Sequence, residues 1–329
     1  MLYWAAIRAP PRHCLAPPGK RQAPARPAPS DSLTCAEGAI IRKAMPEIAY
    51  VNGEFVPLDR AFVHVEDRGF QFADSVYEVL RTYDGKLFAV AEHLDRLDRS
   101  LAAIGMTPPL PRATLVATLE ELVRRGGFSE SVAYLQITRG RAPRHRAVPT
   151  AATPTVVMTV RPLPPAPRQL AGPGISVITV PDQRWARCDI KSVALLANVL
   201  AFETARRAGA DDALFVAADG TIEESTAANL FLVRAGTLGT PPTGPALLAG
   251  VTRAKVLAAA QAAGIECREM RITAAELRAA DEVFLSSTTA QITPVGAVDG
   301  HRIGDGQCGP VTARIYAAFR QSVTARPPG

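Results

Sequence analysis

The chain has 329 residues, 47% hydrophobic and 21% charged, proportions that suit a globular protein with room for two cores. No apolar run approaches the roughly 18 to 20 residues needed to cross a bilayer, so no membrane segment is expected. The formal charge of +6 is local: residues 1–45 hold seven Lys/Arg against two Asp/Glu, the remainder is nearly neutral, and no basic patch suggests a nucleic-acid partner.

Residues 1–45 are rich in Pro, Ala and Arg with no apolar period, and are expected to be disordered and dispensable, with Met45 as a candidate start. The seven prolines argue against the amphipathic helix of a transit peptide, and Arg8 and Pro10 end the apolar stretch too early for a secretory signal. Ala49-Tyr50-Val51-Asn52-Gly53-Glu54-Phe55-Val56 then reads as two short strands around an Asn-Gly hairpin turn. In the stretch from Asp67 to Arg81, Val76, Glu78 and Leu80 alternate with Tyr77, Val79 and Arg81, a strand with polar side chains on both faces.

A helix over 92–104 carries the stripe Leu94, Leu97, Leu101 and Ile104, ended by Gly105, and either Arg96 or Arg99 can reach inward from its edge. A second helix over 112–125 is followed by a strand from Val132 to Thr138. That strand runs into Arg139-Gly140-Arg141-Ala142-Pro143-Arg144-His145-Arg146, where four arginines in eight residues suit a solvated loop or carboxylate capture better than packing. A strand over 154–161 leads to the stiff segment Pro162 to Pro167, a natural boundary between a domain at 46–165 and another at 166–325, with 326–329 as a tail.

After a strand over 174–180, Lys191 lies between Ile190 and the apolar run Val193-Ala194-Leu195-Leu196, which points its stem inward. A buried lysine must find a carboxylate or lose its charge, and a neutral lysine amine is a carbonyl nucleophile. The bland reading is a lysine snorkelling from a helix over 193–208. Further on, strands at 213–216 and 229–233 flank the polar connection Asp219 to Thr226. Leu247 to Thr252 opens a helix that ends before Gly264. A strand at 282–285, the hydroxyl-rich turn Ser286-Ser287-Thr288-Thr289, a strand at 291–295 and a helix near 310–323 complete the chain. Five cysteines, at 14, 35, 188, 267 and 308, have neither CxxC nor zinc spacing, so no metal site is expected and a reducing compartment, the cytoplasm, suits them.

The segments EDRGFQFADSVYEV (66–79), EHLDRL (92–97), ITRGRAPR (137–144), RWARCDIKS (184–192), EESTAANLF (223–231), AGVTR (249–253) and SSTTAQITPV (286–295) resemble the fold type IV pyridoxal-phosphate enzymes, in the D-amino-acid aminotransferase branch. The resemblance implies an α/β (α+β) protein: a smaller N-terminal α/β domain, a larger C-terminal barrel-like α/β domain, and pyridoxal 5'-phosphate between them. It implies a D-amino-acid transaminase acting on D-amino acids and 2-oxo acids in two half-reactions, as a homodimer. Lys191 would hold the cofactor as a Schiff base and move the substrate's alpha proton. Glu224 would face the pyridine nitrogen, and Arg96, Val251, Thr252, Ser287 and Thr288 would take the phosphate, with Tyr77 beside the ring. Tyr77, Thr288, Arg144 and Arg146 would meet the substrate.

The chain departs from the branch pattern in one place that bears on specificity. The branch has arginine, any residue, then histidine, whereas here Arg146 takes the histidine position and His145 falls one residue early, expected to point away on an extended chain. Two arginines would favour dicarboxylates. Ala227 and Ala228 replace hydroxyl residues, implying a drier cofactor edge. Three other readings are an aminodeoxychorismate lyase, a branched-chain L-amino-acid aminotransferase and a non-enzymatic module that keeps the fold.

Overall fold

A computed structural model of the chain describes residues 47–163, 170 and 172–324, so the expectations for 1–45 and for most of the Pro-rich boundary fall outside the described residues. The hairpin forms as expected: β1 (Ile48–Val51) and β2 (Glu54–Pro57) pair in register Val51↔Glu54. Asn52 and Gly53 both take positive φ, as a tight two-residue hairpin turn demands. A short helix, α1 (Arg68–Phe72), follows, its first turn capped by the Asp67 carboxylate accepting from Gly69 N.

The next strands, β3 (Ser75–Tyr83), β4 (Lys86–Leu87), β5 (Ser131–Thr138) and β6 (Thr155–Pro162), complete a six-stranded antiparallel sheet of order β2-β1-β6-β5-β3-β4. Helices α2 (Val90–Ala103) and α3 (Arg112–Gly126) pack on it through Leu94, Leu97, Leu101, Leu115, Leu119 and Leu122, against Val76, Leu80, Leu135 and Met158. Each such leucine contributes roughly 1.5–3 kcal/mol of burial. The period-two reading of β3 holds: Val76, Glu78 and Leu80 face the helices, while Tyr77 and Arg81 lie on the other face.

The second sheet closes on itself. Strands β7 (Ile175–Pro181), β8 (Asp212–Val216), β9 (Ile222–Ser225), β10 (Asn229–Arg234), β13 (Glu282–Ser287) and β14 (Gln291–Val298) pair in the ring β7-β8-β9-β10-β13-β14 and back to β7. The closure rests on Asn229 pairing with Glu224. Strands β11 (Thr237–Thr240) and β12 (Cys267–Glu269) extend it from β10, and β15 (His301–Arg302) from β14. Helix α4 (Leu196–Arg207) is the crossover that the parallel pair β7–β8 requires. Helices α5 (Val251–Ala262) and α7 (Pro310–Thr324) cover Phe231 and Phe284, whose rings stack at 4.8 Å, and α6 (Ala274–Arg278) starts with a Thr273/Glu276 capping box. From residue 47 onward the described residues belong to one compact unit that contains both sheets.

Three expectations are corrected. Helix α4 begins at Leu196 rather than 193, and Ala194, Leu195 and Leu196 are exposed, so the apolar run after Lys191 does not enter the core. Ser192 instead bridges to Val76 of β3, which draws the segment into extended conformation. The polar connection 219–226 contains strand β9, whose Ile222 and Ser225 are buried. Arg139, read as part of a solvated loop, is packed: its Nε donates to Asp74 at 2.8 Å and its Nη2 to the Ile104 carbonyl at 2.6 Å.

Candidate active site

Lys191 is fixed from its backbone outward. Its carbonyl accepts from Tyr77 N at 3.0 Å and its N–H donates to Ser100 Oγ of α2 at 3.2 Å, so β3 and α2 together hold the segment. The Nζ lies 4.3 Å from the centroid of the Tyr77 ring and has no hydrogen bond or ion pair among the described residues. Burial, helped by the Arg96 charge, pushes this amine down to about 8, against the pull of Glu78 and Glu224. It lines a cavity of about 440 Å³ with Tyr77, Arg184, Glu224, Ser225, Thr226 and Asn229 among its walls, a volume suited to a cofactor-sized ligand.

Glu224, 7% exposed, lines the same cavity at the point where β9 meets β10. Its Oε1 accepts from Arg184 Nη1, its Oε2 from Asn229 Nδ2 at 3.3 Å, and both oxygens from Leu248 N at 3.3 Å. Burial nevertheless pushes the carboxyl up to about 7. Tyr77 stacks on Tyr134 at 5.6 Å, and burial raises its hydroxyl above the usual tyrosine range.

Arg96, not the exposed Arg99, reaches inward from α2. Its Nε and Nη2 bind both oxygens of the fully buried Glu78 at 2.7 and 2.8 Å, and its Nη1 donates to the Ala249 carbonyl at 3.2 Å. His93 Nδ1 meets Glu78 Oε2 at 2.7 Å. Although burial would raise Glu78, Arg96 and His93 hold it down to about 2, while burial keeps His93 below the usual imidazole range, a neutral donor. Ala249 lies next to Leu248 of the cavity wall and two residues before Val251, so Arg96 sits at the N-terminus of α5. That helix has Gly250 as its cap and no side-chain acceptor, which leaves the N–H groups of Val251 and Thr252 for an anion. A Cβ at Gly250 would collide with the Asn229 side-chain oxygen, so a larger residue there requires the Asn229 amide to move. Asn229 is also the register partner of Ser286, which brings the Ser287 and Thr288 turn alongside.

The donor set therefore fits a phosphorylated aldehyde: an amine with no hydrogen bond or ion pair among the described residues, a carboxylate lining the same cavity, and, next to its Leu248 and Asn229 walls though not lining it, an arginine, an uncapped helix end and hydroxyls. Arg144 and Arg146 stand apart. Both are exposed and, with Phe72 and His145, line a separate cavity; Arg146 also lines a third that shares Trp185, Ser192 and Ala194 with the Lys191 cavity. His145 does not point away, because the loop bends there and side-chain alternation fails. Sequence reasoning gave no role to Arg184, Glu78, His93 or Asn229. The three-residue step from His93 to Arg96 on a helix was the available signal for one of these clusters.

The amino-transferase class IV family pattern matches residues 75–298. The chain belongs to the class IV aminotransferases, and it is a pyridoxal-phosphate-dependent enzyme of that family with the fold type IV architecture. Among particular relatives, it is 40% identical over 272 residues to the D-alanine aminotransferase of Bacillus licheniformis, covering 83% of this chain and 95% of the relative. It is likewise 40% identical over 276 residues to that of Listeria monocytogenes, with 83% and 95% covered. Among solved structures, the Escherichia coli branched-chain amino acid aminotransferase superposes with a TM-score of 0.77 at 31% identity, over 85% of this chain and 95% of that one.

Proposed function

We propose that the protein is a D-amino-acid aminotransferase that moves the amino group of D-alanine, D-glutamate or D-aspartate to 2-oxoglutarate or pyruvate in two half-reactions. The observation that carries this reading is the Lys191 amine over the Tyr77 ring, with no hydrogen bond or ion pair among the described residues, in a cavity that Glu224 also lines. The D-preference is supported by similarity to relatives named D-alanine aminotransferase at 36–40% identity. Bound pyridoxal phosphate supplies an aldehyde that takes up the amino group and a ring that withdraws electrons from the substrate's alpha carbon.

The chain's residues do the rest. Lys191 would hold the cofactor's aldehyde, and its amine would take the substrate's alpha proton and return it; burial already lowers that amine from the ordinary lysine range, which favours its neutral, proton-accepting form. Glu224 holds a proton on the ring nitrogen. Arg96, the N–H groups of Val251 and Thr252, and the hydroxyls of Ser287 and Thr288 hold the phosphate. Tyr77 stands beside the reacting centre, and Thr288, Arg144 and Arg146 are the candidate substrate contacts.

A second reading, a branched-chain L-amino-acid aminotransferase, is favoured by the solved branched-chain enzymes it superposes on. Turnover of D-alanine against L-alanine and L-leucine with 2-oxoglutarate separates the two; faster turnover of L-leucine would reject the D-assignment. The exposed apolar side chains Leu196, Val199, Leu200 and Phe202 of α4 support a homodimer, and the free thiols of Cys188, Cys267 and Cys308 are consistent with the cytoplasm.

A further inference from the structure

Arg184 is immobilised on every side. Its Nε and Nη2 hold the two oxygens of Asp182 at 3.0 and 2.8 Å, Nη2 also donates to the Ala246 carbonyl at 2.9 Å, and Nη1 donates to Glu224 Oε1. The Phe215 ring lies against the guanidinium, 4.2 Å from its centroid, and the side chain is 5% exposed. One oxygen of Glu224 is thereby committed to a fixed positive charge, while Oε2 keeps only two long bonds at 3.3 Å.

We propose that Arg184 is a positioning residue acting through Glu224: its charge keeps that carboxylate ionised, so the proton shared between Glu224 and the cofactor's ring nitrogen rests on the nitrogen. This builds on the reading of Glu224 as the ring's partner. The other groups facing Glu224 do not supply the same charge. Asp182 is itself bound to Arg184, Tyr77 and Cys188 are kept neutral by burial, Glu223 is an acid on the same strand, and Lys191 makes no ion pair with Glu224 among the described residues. Burial already brings Glu224 to about 7 with Arg184 in place, so removing the guanidinium takes away the largest influence opposing desolvation, ahead of the Leu248 N–H and Lys191, and moves the proton from nitrogen to carboxylate. Bonds and charge balance: one N–H bond breaks, one O–H bond forms, and an ion pair becomes a neutral hydrogen bond.

The test uses holoenzyme reconstituted with pyridoxal phosphate labelled with nitrogen-15 in the ring, whose chemical shift reports ring protonation. Wild type and Arg184→Lys are expected to show a protonated nitrogen, and Arg184→Met and Glu224→Gln an unprotonated one. In Arg184→Met kcat should fall roughly 10²-fold while KM changes little. If Arg184→Met does not fold because Asp182 loses its partner, Asp182→Asn/Arg184→Met removes that charge and carries the same expectation. A protonated nitrogen in the Met variant beside an unprotonated one in Glu224→Gln would overturn the role of Arg184 and leave Glu224 as the ring partner. A signal unchanged in Glu224→Gln would remove the ring-partner reading, and the proposal with it.

Discussion

At the residue scale, Lys191 is held by main-chain bonds while its amine, over the Tyr77 ring, has no hydrogen bond or ion pair among the described residues. That arrangement costs stability before the cofactor binds. With its folded value near 8 and an ordinary value of 10.5, the amine is charged in both states below about 8, and the folded state alone bears the desolvation cost. Between the two values the unfolded chain binds more protons than the folded one, so stability rises with pH, and above about 10.5 the cost is gone. The apo form of Lys191→Met is therefore expected to be about 1–3 kcal/mol more stable than wild type at pH 7, with the gap closing by about pH 10.5. Urea unfolding at both pH values checks this; a gap that does not change with pH would contradict it. Arg146 carries the other prediction at this scale. Arg146→His should lower kcat/KM for D-glutamate relative to D-alanine about ten-fold, the scale of a lost charge-assisted contact. Steady-state kinetics with both substrates measures it, and an unchanged ratio would remove Arg146 from the substrate's surroundings.

At the element scale, the start of α5 joins three parts of the protein: Arg96 through the Ala249 carbonyl, Asn229 against Gly250, and the free first-turn N–H groups. A side chain at Gly250 must displace the Asn229 amide, which is hydrogen-bonded to Glu224 and the Leu248 carbonyl, or shift the helix end. Gly250→Ala is expected to weaken pyridoxal phosphate binding by about ten-fold or more while leaving the melting temperature within a few degrees, as titration of the apoprotein would show; unchanged affinity would mean the helix end does not hold the phosphate.

Period and punctuation made α2, α3, α5, β3, β5 and the Asn-Gly hairpin legible from the sequence, since each has a stripe or an alternation ended by a glycine or a turn. Strand β9 was not legible because Glu223 and Glu224 break the apolar pattern: Glu224 is buried for a partner, Arg184, that lies 40 residues earlier. The apolar residues after Lys191 misled for the opposite reason, being exposed in the isolated chain. Lys191 and Arg96 stood out in the residues themselves, but their roles and that of Glu224 came through the family likeness; of the charges that brace them, His93 had a helical step to Arg96 as a signal, while Glu78 and Arg184 depend on contacts that no local spacing encodes.

For the whole molecule, the antiparallel sheet and the closed barrel meet around Lys191. Arg81 of the first sheet donates to the Thr289 carbonyl of the barrel's turn at 2.7 Å, and Lys255 of α5 pairs with Glu92 of α2. The outer face of α4 leaves Leu196 72% and Leu200 58% exposed, a patch that the proposed homodimer would cover. Leu196→Glu/Leu200→Glu should shift the species in solution from twice the 34.9 kDa chain mass toward the monomer, as light scattering would show; a dimer of undiminished affinity would place the interface elsewhere. All of these parts serve one attachment. Borohydride reduction of the holoprotein followed by peptide mass mapping should find the pyridoxyl group on Lys191; its presence on a different lysine, or on none, would contradict the account.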